Sequence, residues 1–297
     1  MSGSLLEIRK RIGSVKNTRK ITKAMQLVAA SKMRQFQKRA VTARRYVWDL
    51  IDILEENILV QSHYTEQREK GRVLFVLYTS DKGLCGPLNN KLINGLFRSE
   101  HWNGLAEDER MLVTLGKKGT DFARNNKIHV DQHFIGVPEK MNNVEALKLM
   151  DKLLGFWRSG EAKEIILVAP HYKNSFTFYP VLKTFLPFTR AMVESNIGTA
   201  ENKHRRNKKP DELMIYEPDK EYVVSRLHEQ VVSSLFVESF LELKASEYSS
   251  RMMAMQSATD AADKITSALS LQYNKARQQA ITQEIAELVG ASAAISS

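Results

Sequence analysis

Three features of this chain combine residue types and spacings that could do chemistry. The first is Thr79-Ser-Asp-Lys-Gly-Leu-Cys-Gly-Pro, directly after the apolar run Val73-Leu-Phe-Val-Leu-Tyr. A glycine-containing loop after a strand is where an α/β sheet presents backbone amides to a phosphate. This loop lacks the Gly-Lys-Ser/Thr ending of a Walker A sequence, and its glycines do not have the dinucleotide spacing. Gly116-Lys-Lys-Gly, after the next apolar run, is shorter still. Both read as tight turns capping helices. The second feature is Cys85, the single cysteine. No His–acid arrangement supports it as a nucleophile, and a lone cysteine behaves as a small buried hydrophobe. A single cysteine excludes an intramolecular disulfide and fits a reducing compartment. The third is His129 and His133, four apart in a strand-like stretch and without a third ligand nearby in sequence. The chain is expected to carry no catalytic residue, no cofactor and no metal.

The elements that hold these residues follow from the helix breakers. All seven prolines and eleven of the fourteen glycines fall between Gly71 and Pro218. Residues 14–70 and 219–289 contain neither. Proline costs a helix interior roughly 3 kcal/mol and glycine about 1, so two very long helices are predicted. Periodicity gives the N-terminal one roughly 55 residues and the C-terminal one about 70. Between them Val73–Tyr78, Met111–Leu115 and Ile165–Ala169 read as buried strands, with Ile128–Phe134 a weaker one. Leu88–Phe97, Lys118–Asn125 and Val144–Trp157 read as connecting helices. This alternation predicts a mostly parallel, Rossmann-like α/β domain with right-handed crossovers. Ser175–Phe188 alternates and contains Pro180 and Pro187, as an edge strand or hairpin does. Glu194–Asp211 is polar and basic and reads as an exposed loop. The predicted layout is a coiled-coil helix over 1–70, an α/β domain over 71–218, and a second coiled-coil helix with an apolar tip over 219–297.

A heptad runs from Leu5 and Ile8 through Ile12, Val15, Ala29, Met33 and Phe36 to Leu54, and on to Asn57. It turns polar at Arg19, Thr22 and Gln26, while Ile21, Met25 and Val28 lie on another side. Two readings stay open: a solvated gap or polar register-setter on the partner helix, or a stretch that leaves that helix to touch something else. A looser pattern of the same period runs from Leu227 to Ala280. Two such helices around one domain predict a long antiparallel coiled coil, the longer C-terminal helix continuing beyond its partner. That end, 281–297, closes on small and apolar residues and calls for an apolar socket. Gly290 is where the helix is expected to fray or end.

Charge is unevenly placed. Residues 1–48 hold thirteen Lys/Arg and one acid, Glu7, against a net charge of +10 for the whole chain. The first helix therefore points to an acidic partner. Nucleic acid phosphates would serve, but the basic residues surround the helix with few aromatics for base stacking. No apolar run approaches the roughly 18–20 residues of a bilayer span. The start, MSGSLLEIRKRIG, lacks a signal-peptide apolar region and reads as the beginning of the coiled coil.

Three motifs carry a resemblance: Ile21-Thr-Lys-Ala-Met-Gln-Leu-Val-Ala-Ala-Ser-Lys-Met-Arg, the Ser80-Asp-Lys-Gly-Leu-Cys-Gly loop, and Tyr273-Asn-Lys-Ala-Arg-Gln-Gln-Ala-Ile-Thr-Gln-Glu-Ile-Ala-Glu-Leu-Val. In this order, and over the whole chain, they resemble the gamma subunit of F-type ATP synthases. Pro87 departs from the family pattern, which usually has glycine before Leu-Asn, and leaves the turn geometry at 86–88 open. The resemblance implies a non-catalytic central rotor shaft that couples proton flow through a membrane ring to ATP synthesis and hydrolysis. Its implied partners are three alpha and three beta subunits, the epsilon subunit and the ring of c subunits. Its implied place is peripheral to a membrane, with no nucleic acid bound; the lack of a transit sequence favours the cytoplasmic face of a bacterial cell membrane over an organelle inner membrane. Matched residue by residue, the implied contacts with the surrounding subunits are Lys23 and Met25 on the first helix, and Arg277, Gln278, Thr282, Glu284 and Glu287 on the last. Two competing classes remain: a basic helical-hairpin nucleic-acid binder, and a nucleotide-binding α/β enzyme using the 79–87 loop.

Overall fold

A computed structural model of the chain describes residues 2–55, 62–139, 143–189 and 216–295. Helix α1 spans Ser2–Glu55 and helix α6 spans Lys220–Ile295. Between them lie β1 (Arg72–Tyr78), α2 (Leu88–Phe97), α3 (Glu100–Asn103), a 3-10 turn at Glu107–Glu109, β2 (Arg110–Leu115), α4 (Lys117–Asn125), β3 (Gln132–Phe134), α5 (Asn143–Arg158), β4 (Ala162–Asn174) and β5 (Thr177–Leu186). The chain forms two compact units, one of residues 31–250 and one of residues 1–30 with 251–297. Both long helices run through both units. The expected loop at Glu194–Asp211 and the seam position Asn57 lie outside the described residues.

In the larger unit, the apolar runs without alternation become strands buried on both faces. The sheet order is β3-β2-β1-β4-β5, parallel except for the antiparallel edge strand β5. Phe75 at the centre is level with Leu112 on one side and Ile166 on the other. Pro170 lies in β4 beyond Val168, the last residue paired with β1, so its missing N–H breaks no ladder there. Pro180 sits on the edge strand, as the alternating pattern anticipated. The weaker strand expected from Ile128 is shorter than read and begins at Gln132. The Asp131 carboxylate accepts the Leu112 N–H at 2.9 Å, taking the place a strand carbonyl would fill. Helix α3 had no periodic signal at four residues. Ser99 caps it by accepting the Trp102 N–H at 3.2 Å.

The core of this unit joins the sheet to Val47, Leu50, Ile51 and Leu54 of α1 and to Val231, Leu235, Phe236 and Phe240 of α6. Each such side chain contributes about 1.5–3 kcal/mol by leaving water. From Val231 to Arg251 most of α6 is buried, polar residues included.

The smaller unit is an antiparallel helix pair. Ala29 of α1 and Met255, Ala262 and Leu269 of α6 are buried at heptad positions, with Leu5, Ile8, Ile12 and Val15 half-buried. The polar stretch of the seam stays on its partner helix, which decides for the register-setting reading. Buried Thr22 and Thr259 join their hydroxyls at 2.8 Å, Gln26 donates to Gln256, and Arg19 pairs with Asp263. Each of these three polar seam residues thus meets a polar partner at its own level, while the buried Gln26 Oε1 has none. In this register α1 runs out near Ala280, and residues 281–289 of α6 are all exposed. The expected break at Gly290 does not occur, since α6 continues to Ile295. One glycine costs a helix only about 1 kcal/mol, and Ala291, Ala293 and Ala294 favour its continuation.

Candidate functional site

The carboxyl edge of the sheet is where an α/β fold would hold a nucleotide, and here the chain fills it with its own groups. The Asp81 carboxylate accepts the N–H of Lys117 at 2.9 Å and of Gly136 at 3.3 Å. It occupies the N-terminus of α4, where a phosphate would sit. Gly116 has φ +102°, and a Cβ there would lie 2.1 Å from the Thr79 carbonyl oxygen, so the two loops touch backbone to backbone. Asn89 ties the 79–87 loop together, donating to Ser80 Oγ at 2.9 Å and to Cys85 Sγ at 3.2 Å and accepting the Ser80 N–H at 3.0 Å. Cys85 is buried among these groups. Pro87 stands at the N-cap of α2, and the positive-φ turn falls on Leu84 and Gly86. The last stretch of α6 in this unit also docks here, with Ser250 Oγ donating to the Cys85 carbonyl at 2.5 Å. His129 and His133 are exposed. His129 faces Asp131 at 3.9 Å. Among the described residues no three His, Cys, Asp or Glu gather as a metal site would require.

The seven contact residues read from the sequence lie in the helix-pair unit, at two levels. Lys23 is exposed and Met25 half-buried on α1, near Thr259 of α6. Arg277, Gln278, Thr282, Glu284 and Glu287 are all exposed on α6, about 30–40 Å further along by helical rise. The structure therefore makes two surfaces of them. Thr282 donates back to the Gln278 carbonyl at 2.9 Å, and Glu287 accepts from Gln283 at 3.0 Å. Residues beside them add apolar surface. Ile21, Leu27 and Val28 are 61%, 61% and 56% exposed, and Ile285 and Leu288 are 55% and 70% exposed. Leu27 escaped the sequence reading, because it lies on neither seam nor the polar break. Of the basic residues on α1, Arg19 and Lys32 are taken up in ion pairs with Asp263 and Glu139.

Arg44 enters a buried ion cluster that no sequence pattern announced. Its Nε lies 2.9 Å from Glu242 Oε1 and 3.8 Å from Glu238 Oε1, and Nη2 donates to the Tyr172 carbonyl at 2.9 Å. Lys183 of β5 approaches Glu238 at 3.6 Å, and His171 of β4 approaches Glu242 at 3.5 Å. A cavity of about 220 Å³ opens beside Arg44, Trp48, His171, Lys183 and Glu238. Burial pushes the Glu238 carboxyl up to about 7, against the pull of Lys183 and with repulsion from Glu242. Burial acts on Glu242 too, but Lys183, the His171 hydrogen bond and Arg44 outweigh it and hold that carboxyl well below the usual range. Burial, with Glu238 nearby, raises the Tyr78 phenol well above its ordinary value. The cluster cross-links α1, β4, β5 and α6. It fastens these elements together.

A family model described as ATP synthase matches residues 4–295. The ATP synthase gamma chain of Staphylococcus saprophyticus is 34% identical over 297 residues, covering 99% of each chain. The sodium ion specific ATP synthase gamma chain of Acetobacterium woodii is 31% identical over 305 residues, covering 99% of this chain and 100% of its own. Among solved structures, a chain of the Euglena gracilis mitochondrial ATP synthase rotor shares the fold at a TM-score of 0.64, with 18% identity, over 95% of this chain and 100% of that one.

Proposed function

Because the chain belongs to the gamma-chain family of ATP synthases, we propose that it is the rotating central shaft that couples ion flow through a membrane ring to ATP synthesis and hydrolysis. The observation that carries this reading is the helix pair, whose polar seam residues meet across it while its outer faces and residues 281–289 stay open. A shaft needs an interior that does not slip and an exterior that other subunits can push against.

On this reading Lys23 and Met25 form one contact level with the surrounding alpha and beta subunits. Arg277, Gln278, Thr282, Glu284 and Glu287 form the other, nearer the apolar end. The exposed basic residues of α1 face carboxylates of the beta subunits. The α/β unit binds the epsilon subunit and the c-subunit ring. The complex is peripheral on the cytoplasmic face of a bacterial membrane, and no helix among the described residues is long and apolar enough to cross one. This subunit carries no chemistry of its own, in keeping with a carboxyl sheet edge filled by Asp81 and α6. The proton is proposed as the coupling ion. The test is co-purification of the tagged chain: three copies each of two larger ATPase subunits per copy of this one are expected. ATP-driven pumping into vesicles, with proton and sodium ionophores applied separately, identifies the ion. A chain that purifies alone and binds or turns over ATP overturns the reading.

A further inference from the structure

We propose that three consecutive hydroxyls of α6, those of Tyr248, Ser249 and Ser250, form a grip by which the sheet-bearing unit holds this helix against twisting about its own axis. Each donates to a different loop at the carboxyl edge of the sheet. Tyr248 donates to Glu139 Oε1 at 2.6 Å, beyond β3. Ser249 donates to the Ser175 carbonyl, in the turn between β4 and β5. Ser250 donates to the Cys85 carbonyl at 2.5 Å, in the loop after β1. Successive helix residues point about 100° apart, so the three contacts cover roughly 200° of the circumference. A helix held at one point can pivot about it, whereas one held on three sides cannot.

The serines are not explained by packing alone. A buried serine in a helix ordinarily bonds back to the carbonyl four residues earlier. Further along the same helix Thr259, Thr266 and Ser270 do so at 2.8, 2.8 and 2.7 Å. Ser249 and Ser250, at 3% and 7% exposure, donate outward to the loops instead. Alanine would suit a buried helical position better. The first helix joins the same grip. Lys32 Nζ lies 2.6 Å from Glu139 Oε2 and 3.4 Å from the Tyr248 hydroxyl, and Phe36 stacks on Tyr248 with ring centres 5.6 Å apart. One carboxylate thus ties both long helices to the loop after β3. Ser250 is the last residue of this unit, and α6 continues into the other. The inference rests on the shaft reading: torque delivered to the sheet unit must enter the helices without slip.

The test uses the whole assembly with Tyr248→Phe, Ser249→Ala and Ser250→Ala combined, which removes the hydroxyls and keeps the ring and the packing. ATP-driven ion pumping is measured per ATP hydrolysed, with no opposing ion gradient and with increasingly steep ones. The variant is expected to match the parent without a gradient and to fall about twofold or more under a steep one. Hydrogen exchange of the α6 amides around residues 244–256 is expected to quicken by about two- to tenfold for each hydroxyl lost. Pumping per ATP that follows the parent at every gradient overturns the grip. So does a deficit that is the same at all gradients and tracks a smaller yield of complex, because that marks plain destabilisation. If the triple variant does not assemble, Ser249→Ala and Ser250→Ala separately face the same comparison. A parent chain that fails to assemble with the larger subunits sinks the shaft reading itself. A parent that pumps beside an unaffected variant sinks only the grip.

Discussion

The last helix is one continuous element living in two environments. From Val231 to Arg251 it is surrounded: Phe236 and Phe240 are buried, but so are Glu238, Glu242, Lys244, Ser249 and Ser250. From Met252 to Val289 it buries only Met255, Thr259, Ala262 and Leu269, and from Ile281 through Val289 every residue is exposed. A helix enclosed on all sides loses stability at each polar residue that finds no partner. Glu242 meets Arg44, Glu238 meets Lys183, and Ser249 and Ser250 meet loop carbonyls, whereas the buried hydroxyls of Ser239 and Ser246 meet none. A helix with one covered face records only its period. A bare helix records nothing internal, and its residues answer to other molecules. The enclosed half is built to be held and the open half to be touched.

Removing part of each half should break this contrast in opposite ways, and the largest effect belongs to the open half. Deleting residues 277–297 should leave the sheet unit folded and abolish coupled pumping, because residues 277–289 are exposed apart from half-buried Ala280. Deleting only 290–297 should preserve assembly and much of the pumping, since an apolar bearing needs low friction rather than specific bonds. Vesicle pumping assays on both truncations check this. If the short deletion alone abolishes coupling at normal subunit ratio, the end of the chain grips rather than slides.

In the enclosed half, Arg44→Met should cost about 3–5 kcal/mol of stability, because it leaves buried carboxylates without their shared cation. Urea unfolding of the purified chain measures it. A loss under 1 kcal/mol would mean Lys183 and His171 suffice.

A smaller, pH-dependent effect belongs to Glu238. Its folded carboxyl titrates near 7 against about 4.3 when unfolded. The native state therefore holds a proton that the unfolded chain lacks between those values. This contribution is complete below about pH 4 and is lost as pH rises towards 7. Glu242 is displaced the other way, so its contribution is present above about pH 4 and lost in acid. Arg44, Lys183, His171, Glu242 and Tyr78 are the charged and titratable groups facing Glu238. Glu238→Gln mimics the protonated acid. It should be nearly neutral at pH 5 and gain about 1–3 kcal/mol relative to the parent at pH 8. Parallel urea titrations at the two pH values check it; an unchanged difference would place the proton elsewhere.

The same contrast explains what the sequence could and could not disclose. The coiled-coil seam was legible from Leu5 to Leu54 and from Met252 to Ala280, because a single covered face writes a repeat that can be counted. The strands at Val73, Met111 and Ile165 were legible because unbroken apolar runs have few alternatives. The Arg44 cluster and the Tyr248–Ser250 contacts were not. Their partners sit on α6, β4, β5 and loops up to 198 positions away, and enclosure on all sides erases periodicity. Glu238 falls within the loose repeat from Leu227 to Ala280 as an ordinary seam position. Its polarity in a buried stretch was the available signal, but only the fold shows what answers it. The proposed contact residues rest on resemblance alone, since a solvated face carries no internal constraint.

The smallest expected effect lies at the polar break of the helix-pair seam. Thr22 and Thr259 meet at 2.8 Å, yet each also bonds to its own helix, Thr22 to the Arg19 carbonyl and Thr259 to that of Met255. Replacing one threonine by valine leaves the other hydroxyl partly satisfied, so the loss should be about 1 kcal/mol. Replacing both puts two methyl-bearing side chains of the same shape against each other and should be neutral or slightly stabilising. A double-mutant cycle in urea then gives a coupling near 0.5–1 kcal/mol. What the apolar pair should lose is specificity of register, because two valines fit as well one heptad away whereas Thr22 has its hydroxyl partner at one level only. Cysteines placed at Gln26 and Gln256, in a background with Cys85→Ser, read the register by disulfide formation. Cross-linking that stays confined to that pair in the double-valine variant would show that Arg19 with Asp263 and the apolar seam set the register unaided.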